Sequence, residues 1–411
     1  MINEILYGDD KLVLNQSLYC DQVLTLGTQD FIGQDDIRLA LENPINRLPL
    51  KEDLITKKPK SVAIVVEDKT RKNPEYPLIL DEVITTIQAT GAQIYLIIAY
   101  GTHGHHTDQE SIDLYGKKNL DRVTLIHHDC HDLEKLSHVK DNLYINKYAN
   151  EADYLMVIGS VKPHAFAGYT GGRKAILPGI ASYQAIRNNH SMVGEKNVQI
   201  GCLRGNPIHE DMTANANLVN IDMSIQMVKD ASGNLFSYFV GDNQRAFEEG
   251  TKLSQKLCGI IIKEKFDVVI ASVGGAPKDC SIYQSQRALT NAVSAVKEDG
   301  LIFLVGEMKN GIGNSIFEEW LQKPLEEVCN LSRSQIDIGI HSAFLTAKNF
   351  EKCQKVYLYS SKGSDWSKKY HFDYLEDLSD IKDIVENKYG TNYTSAFIAD
   401  ASSVMIKSKE A

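Results

Sequence analysis

Short β-branched runs, each followed by a polar loop and then an amphipathic segment, recur along the chain. Ser61–Val66 (SVAIVV) is apolar at every position after the first, as a strand covered on both faces must be. Ile79, Leu80, Val83, Ile84 and Ile87 then repeat at helical spacing, with Gly91 as the stop. Ile94–Ala99, Val123–Ile126 and Tyr154–Ile158 predict further strands. A second series follows at Phe266–Ser272, Leu301–Gly306 and Lys355–Ser360, with a helix over Gln286–Val296. Strands alternating with helices imply right-handed βαβ units and mostly parallel sheets. The pattern predicts an α/β protein of two domains, 1–262 and 263–411, parted at the charged stretch Ile262–Lys265, with the active site in the cleft between them. Ligands of such sheets bind beyond the carboxyl ends of the strands. The unusual loops after Val66, Ala99 and Ile158 all begin there, which predicts one shared site.

Composition narrows the partners. At 411 residues the chain is long enough for two or three domains of about 150 residues each. Its net charge of −10 disfavours nucleic acid and anionic membrane surfaces as main partners. Glu4, Asp9 and Asp10 stand where a signal peptide needs positive charge, and the longest apolar stretch, Ile94–Tyr100, is too short to cross a bilayer. Seven scattered cysteines with no CxxC do not form a disulfide framework. The expectation is a soluble cytoplasmic protein.

Six of the 12 histidines fall between 103 and 131. The run T-H-G-H-H-T-D suggests the T-H-x-H-x-D-H metal loop of a zinc hydrolase, but Thr107 and Asp108 stand where Asp and His are required. There is no H-E-x-x-H either. His127, His128 and His131 read as a solvated strand end. Between Gly159 and Met192, Gly168, Gly171, Gly172 and Gly179 are expected to let backbone approach a ligand, and Arg173 and Lys174 to bind an anion. It is not a P-loop, because position 173 is Arg; on spacing alone, a Gly-rich surface loop is an equal reading. His190 closes the predicted helix Ser182–Asn189.

Together these stretches are more specific than any one of them. Asp68 and Arg71 of a D-x-T-R, Gly101–His103, the block Pro163–Gly179 (PHAFAGYTGGRKAILPG), Asn189-His190, Gly205–Met212 and Tyr283–Leu289 (YQSQRAL) stand in order over about half the chain. In these motifs the sequence resembles the nickel-pincer-nucleotide lactate racemase family. The resemblance implies a pyridinium mononucleotide carrying nickel, covalently held by Lys174, with Asp68, Gly171, Gly172 and Arg173 around it and His190 as a nickel ligand. It implies His103 and His164 as acid/base groups on opposite sides of a 2-hydroxy acid. Arg71, Tyr283, Gln284 and Arg287 are the implied substrate contacts. The implied partners are that small acid and the maturation proteins that deliver the cofactor.

The residue types suit the chemistry. An α-C–H beside a carboxylate is a very weak acid, so an electron-accepting cofactor that takes hydride is a better route than direct deprotonation. Inversion needs a base for each enantiomer, and imidazole titrates in the right range. Two departures bear on substrate: Arg287 stands where the family often has lysine, and Gly104-His105-His106 where a basic residue and proline are common. They leave room for larger hydroxy acids than lactate. The rival readings are a zinc-dependent hydrolase built on the histidine cluster and a non-catalytic binder of a phosphorylated ligand.

Overall fold

The computed structural model describes residues 2–18, 20–26, 33–71, 73–230 and 232–408. Two units divide the chain, one of residues 30–257 and one of residues 1–29 with 258–411. Among the described residues no helix is long and apolar enough to cross a membrane.

The unit of residues 30–257 is built on six strands in the order Leu235–Gly241, Met223–Lys229, Tyr154–Val161, Ser61–Glu67, Gln93–Ala99 and Thr124–His127. Every pairing is parallel except that of Leu235–Gly241 with Met223–Lys229. All eight residues of Tyr154–Val161 are buried, as the unbroken apolar runs require. Helix Tyr76–Gln88 lays Ile79, Leu80, Val83, Ile84 and Ile87 into the core beside Val62, Ile64 and Val66. Cutting one of these isoleucines to alanine costs about 2–5 kcal/mol. From the Ser61–Glu67 strand the chain builds outward in one direction, then returns to place Tyr154–Val161 on its other side. That reversal is a topological switch point, and it opens a crevice where Glu67-Asp68 and Val161-Lys162 end their strands.

The other unit holds a second sheet, all parallel, in the order Asp373–Tyr374, Lys355–Tyr359, Val296–Val305, Phe266–Ser272, Ser395–Ile398 and Gln22–Leu24. The last pairing corrects the expected boundary of 1–262. The Asp21 carboxylate accepts the Ser395 N–H at 2.7 Å, and Gln22–Leu24 adds the edge strand, so residues 1–29 belong here. The final strand, Met405–Ser408, pairs with Gly259–Ile262 of the same unit. The helix expected at Gln286–Val296 runs from Ile282 to Ala295, because the Ser281 side chain caps it.

Candidate active site

Three loops leave adjacent parallel strands of the 30–257 unit. The first begins at Asp68, whose buried carboxylate accepts the Thr70 N–H at 3.0 Å and meets His103 Nδ1 at 2.6 Å. Burial works to raise the Asp68 pKa, but the bonds from His103 and Thr70 and the charge of Arg71 outweigh it and hold the carboxyl below its usual range. A carboxylate on Nδ1 fixes the tautomer and leaves Nε2 of the half-exposed His103 ring to accept a proton. The neighbouring histidines do other work. His106 is buried and its Nε2 accepts the Lys69 N–H at 2.8 Å, tying the turn that carries Asp68 and Arg71 to the loop that carries His103. His105 donates from Nε2 to the His128 carbonyl at 3.0 Å.

That pattern corrects two expectations. His128 is not solvated: it is fully buried, donates to the Ala181 carbonyl at 3.1 Å, and burial pushes it down to about 4. Only His131 is exposed as expected, while His127 is half-buried, its Nδ1 2.8 Å from the Tyr100 hydroxyl. The zinc loop does not assemble either. His103, His105 and His106 each bond a different group, and among the described residues no three His, Cys, Asp or Glu side chains are grouped to hold a metal ion.

The third loop carries the densest chemistry. His164 and Gly168 pair in a small hairpin, and the chain turns through Gly171 into the 3-10 turn Gly172–Ala175. Gly171 and Gly172 have φ of +85° and +52°, which side-chain-bearing residues rarely adopt. A Cβ on Gly171 would lie 2.5 Å from Gln226 Oε1, and one on Gly172 would lie 3.0 Å from Phe247. At Gly168 and Gly179 the space is filled by the carbonyls of Cys202 and Ala175. On the side where a Cβ would stand, the space beside these four glycines is filled by the protein itself.

Lys174 Nζ lies 3.2 Å from His164 Nε2 and 5.6 Å from the centre of the Phe166 ring. Burial, then the charges of Arg71 and Arg173, depress Lys174 well below an ordinary lysine; Glu67 opposes them. Burial also depresses His164, helped by Lys174, Arg71, His190 and Arg173. Both groups are thus shifted toward their uncharged forms. His190 ends helix Tyr183–His190 and is buried, with Phe166 packed against both it (ring centres 5.1 Å) and His164 (4.5 Å). Asn206 holds this ring in place by donating to the Phe166 carbonyl at 2.8 Å, and Asn189 braces the His190 helix by donating to Asp211 at 2.7 Å.

Two contributors escaped the sequence reading. Phe166 sits two residues after His164, inside the motif that was read. Glu67, which receives Ser160 Oγ at 3.0 Å and Asn73 Nδ2 at 2.7 Å, ends a buried strand, and a carboxylate there was itself a signal. Tyr283, Gln284 and Arg287 lie in the other unit on helix Ile282–Ala295. There Tyr283 packs on Phe317, the Gln284 N–H is capped by Ser281, and Arg287 donates to the Val404 carbonyl at 3.1 Å.

Comparison with known proteins gives the class: the chain is an isomerase of the racemase kind. Residues 28–201 match the lactate racemase N-terminal domain and residues 261–406 the lactate racemase C-terminal domain, so the chain belongs to the lactate racemase family. It is 32% identical over 392 residues to the lactate racemase of Thermoanaerobacterium thermosaccharolyticum, covering 92% of this chain and 91% of that one. The lactate racemase of Lactiplantibacillus plantarum is 31% identical over 294 residues, 69% of this chain and 68% of its own. The structure of the Thermoanaerobacterium lactate racemase apoprotein superposes with a TM-score of 0.88 at 30% identity, over 98% of this chain and 99% of that one. A Thermotoga maritima protein shares the fold at 17% identity, with a TM-score of 0.64 over 88% of this chain and 96% of its own.

Proposed function

We propose that this protein interconverts the enantiomers of a 2-hydroxy acid, lactate or a larger one, using a nickel-pincer nucleotide tethered to Lys174. The observation that carries the reading is the buried Lys174 amine, 3.2 Å from His164 and beneath Phe166. The residues fit such a group: burial shifts the lysine toward the unprotonated form, the one that can be acylated, and the His190 imidazole is a donor that suits nickel. When bound, the group supplies an acceptor for hydride from the substrate carbon.

The chain's own residues do the rest. Arg71 holds the substrate carboxylate by two parallel hydrogen bonds. His103, oriented by Asp68, takes the hydroxyl proton of one enantiomer at Nε2, and His164 takes that of the other. Each returns a proton when the carbon is rebuilt on its face. Tyr283, Gln284 and Arg287 of the other unit match the family motif that the resemblance implies for substrate contact. His105 and His106 are engaged in internal bonds, and Arg287 donates to the Val404 carbonyl.

The test is intact mass, metal content and chiral assay of protein from a host that makes the cofactor and its maturation proteins. A covalent adduct with nickel, and racemisation of lactate or a longer 2-hydroxy acid, are expected. Unmodified protein that racemises at full rate, or a zinc-loaded hydrolase, overturns the reading.

A further inference from the structure

Beside the Gly171–Ala175 turn lies a cavity of about 310 Å³, formed entirely within the 30–257 unit. Its walls include Arg173, which the family resemblance put around the cofactor, but none of Arg71, His103, His164, Lys174 or His190, so Arg173 is the one residue it shares with the site above. Arg173 is 3% exposed. It donates to the carbonyls of Ala167 at 2.7 Å and Gly171 at 3.3 Å, and its guanidinium stacks on Phe247 at 4.3 Å, while Nε has no partner among the described residues. Burial alone draws it down to about 9, and no carboxylate offsets the effect, so it stays a cation at neutral pH.

The rest of the wall supports one kind of occupant. His209 Nδ1 is a second buried polar atom without a partner; burial and the charge of Arg173 push this ring down to about 3, so it is a neutral donor or acceptor. Arg204 adds a second guanidinium, and Asn243 an amide whose Oδ1 is unbonded. Glu210 and Glu248 also line the cavity, but both are engaged. Glu210 accepts the Gly205 N–H at 2.9 Å, and Glu248 accepts from Arg245 and Gln244, each at 3.0 Å. A buried cation with no carboxylate in contact among the described residues is costly, and an anion in the cavity supplies that contact.

We propose that this cavity is a binding site for a small oxyanion, a phosphoryl or carboxylate group, with Arg173 and His209 as its buried contacts. The proposal does not depend on the racemase reading. It is tested by calorimetric titration of the full-length apoprotein with inorganic phosphate, sulfate and acetate at constant ionic strength. Saturable one-site binding of at least one of them is expected. Thr213→Glu, which puts a carboxylate at the half-buried wall, should weaken it by about tenfold or more, as should Arg173→Met. Arg71→Ala should leave it unchanged. The Thr213 variant keeps the test decisive if Arg173→Met does not fold. No saturable binding of any of the three ions, binding that survives Thr213→Glu intact, or binding lost in Arg71→Ala would each overturn the proposal.

Discussion

The two sheets share an architecture and differ in what their strand ends do with charge. After Phe266–Ser272, Lys278 pairs with Asp400 at 2.5 Å and is bonded to Ser403 at 2.7 Å, while buried Asp279 accepts the backbone N–H of Gly8 at 2.7 Å and of Glu307 at 3.1 Å. The cation there has a carboxylate in contact, and the buried carboxylate has backbone donors. After Tyr154–Val161, Lys174 and Arg173 are buried with no carboxylate in contact among the described residues, and His164 is depressed beside them. One topology thus carries a stabilised loop and a reactive one. Fold alone does not assign function; the electrostatic environment of particular side chains does.

The comparison breaks most severely at the lysines. Lys174→Ala should abolish covalent loading and racemisation together, read by intact mass and chiral chromatography, whereas Lys278→Ala should leave both in place. If Lys174→Ala still carries a nucleotide, the assignment fails. Next come the bases: His103→Ala and His164→Ala should each lose roughly 10²–10⁴-fold in net inversion. In single-turnover cofactor reduction with pure enantiomers, each variant should spare a different hand. Equal behaviour of both variants toward both hands would mean the bases are misassigned.

A third prediction concerns metal. His190→Ala should retain the organic adduct but lose nickel by elemental analysis, and full nickel content would refute its role. The pH dependence of stability sharpens the contrast further. Lys174 binds a proton more readily unfolded than folded, so its burial costs stability at neutral pH, and the cost shrinks as pH rises toward the free-lysine value. Apo Lys174→Met should therefore unfold at higher denaturant than apo wild type at pH 7, with the gap closing by pH 10. The smallest effect is expected from Lys278→Ala, under about 1 kcal/mol in denaturant unfolding, as for other part-exposed ion pairs.

What the sequence made legible follows from local physics. Buried parallel strands are continuous apolar runs, so Ser61–Glu67, Gln93–Ala99 and Tyr154–Val161 could be read directly, and the loops beyond their carboxyl ends were read as one shared site. Residues 22–24 could not be read. A three-residue edge strand has no period of its own, and its partner lies more than 370 positions away. His103, His164 and Lys174 were singled out by the resemblance of the motifs around them to a known family, since on spacing alone the glycine-rich block read equally well as a surface loop. The glycines were misjudged because positive φ reveals a tight turn but not which atoms fill the space beside it. His106 and His128 were misjudged because a histidine bonded to backbone looks, in one dimension, like any other.

The downward shift of Lys174 has a consequence for the folded chain as such. Loss of a lysine's charge makes its amine a nucleophile toward aldehydes, thioesters and dissolved carbon dioxide alike, so the shift raises its reactivity toward any reagent that reaches it. Phe166, lying over Nζ with its backbone held by Asn206, narrows the approach to that amine. The ring that packs against the two histidines therefore also shields the lysine from stray electrophiles.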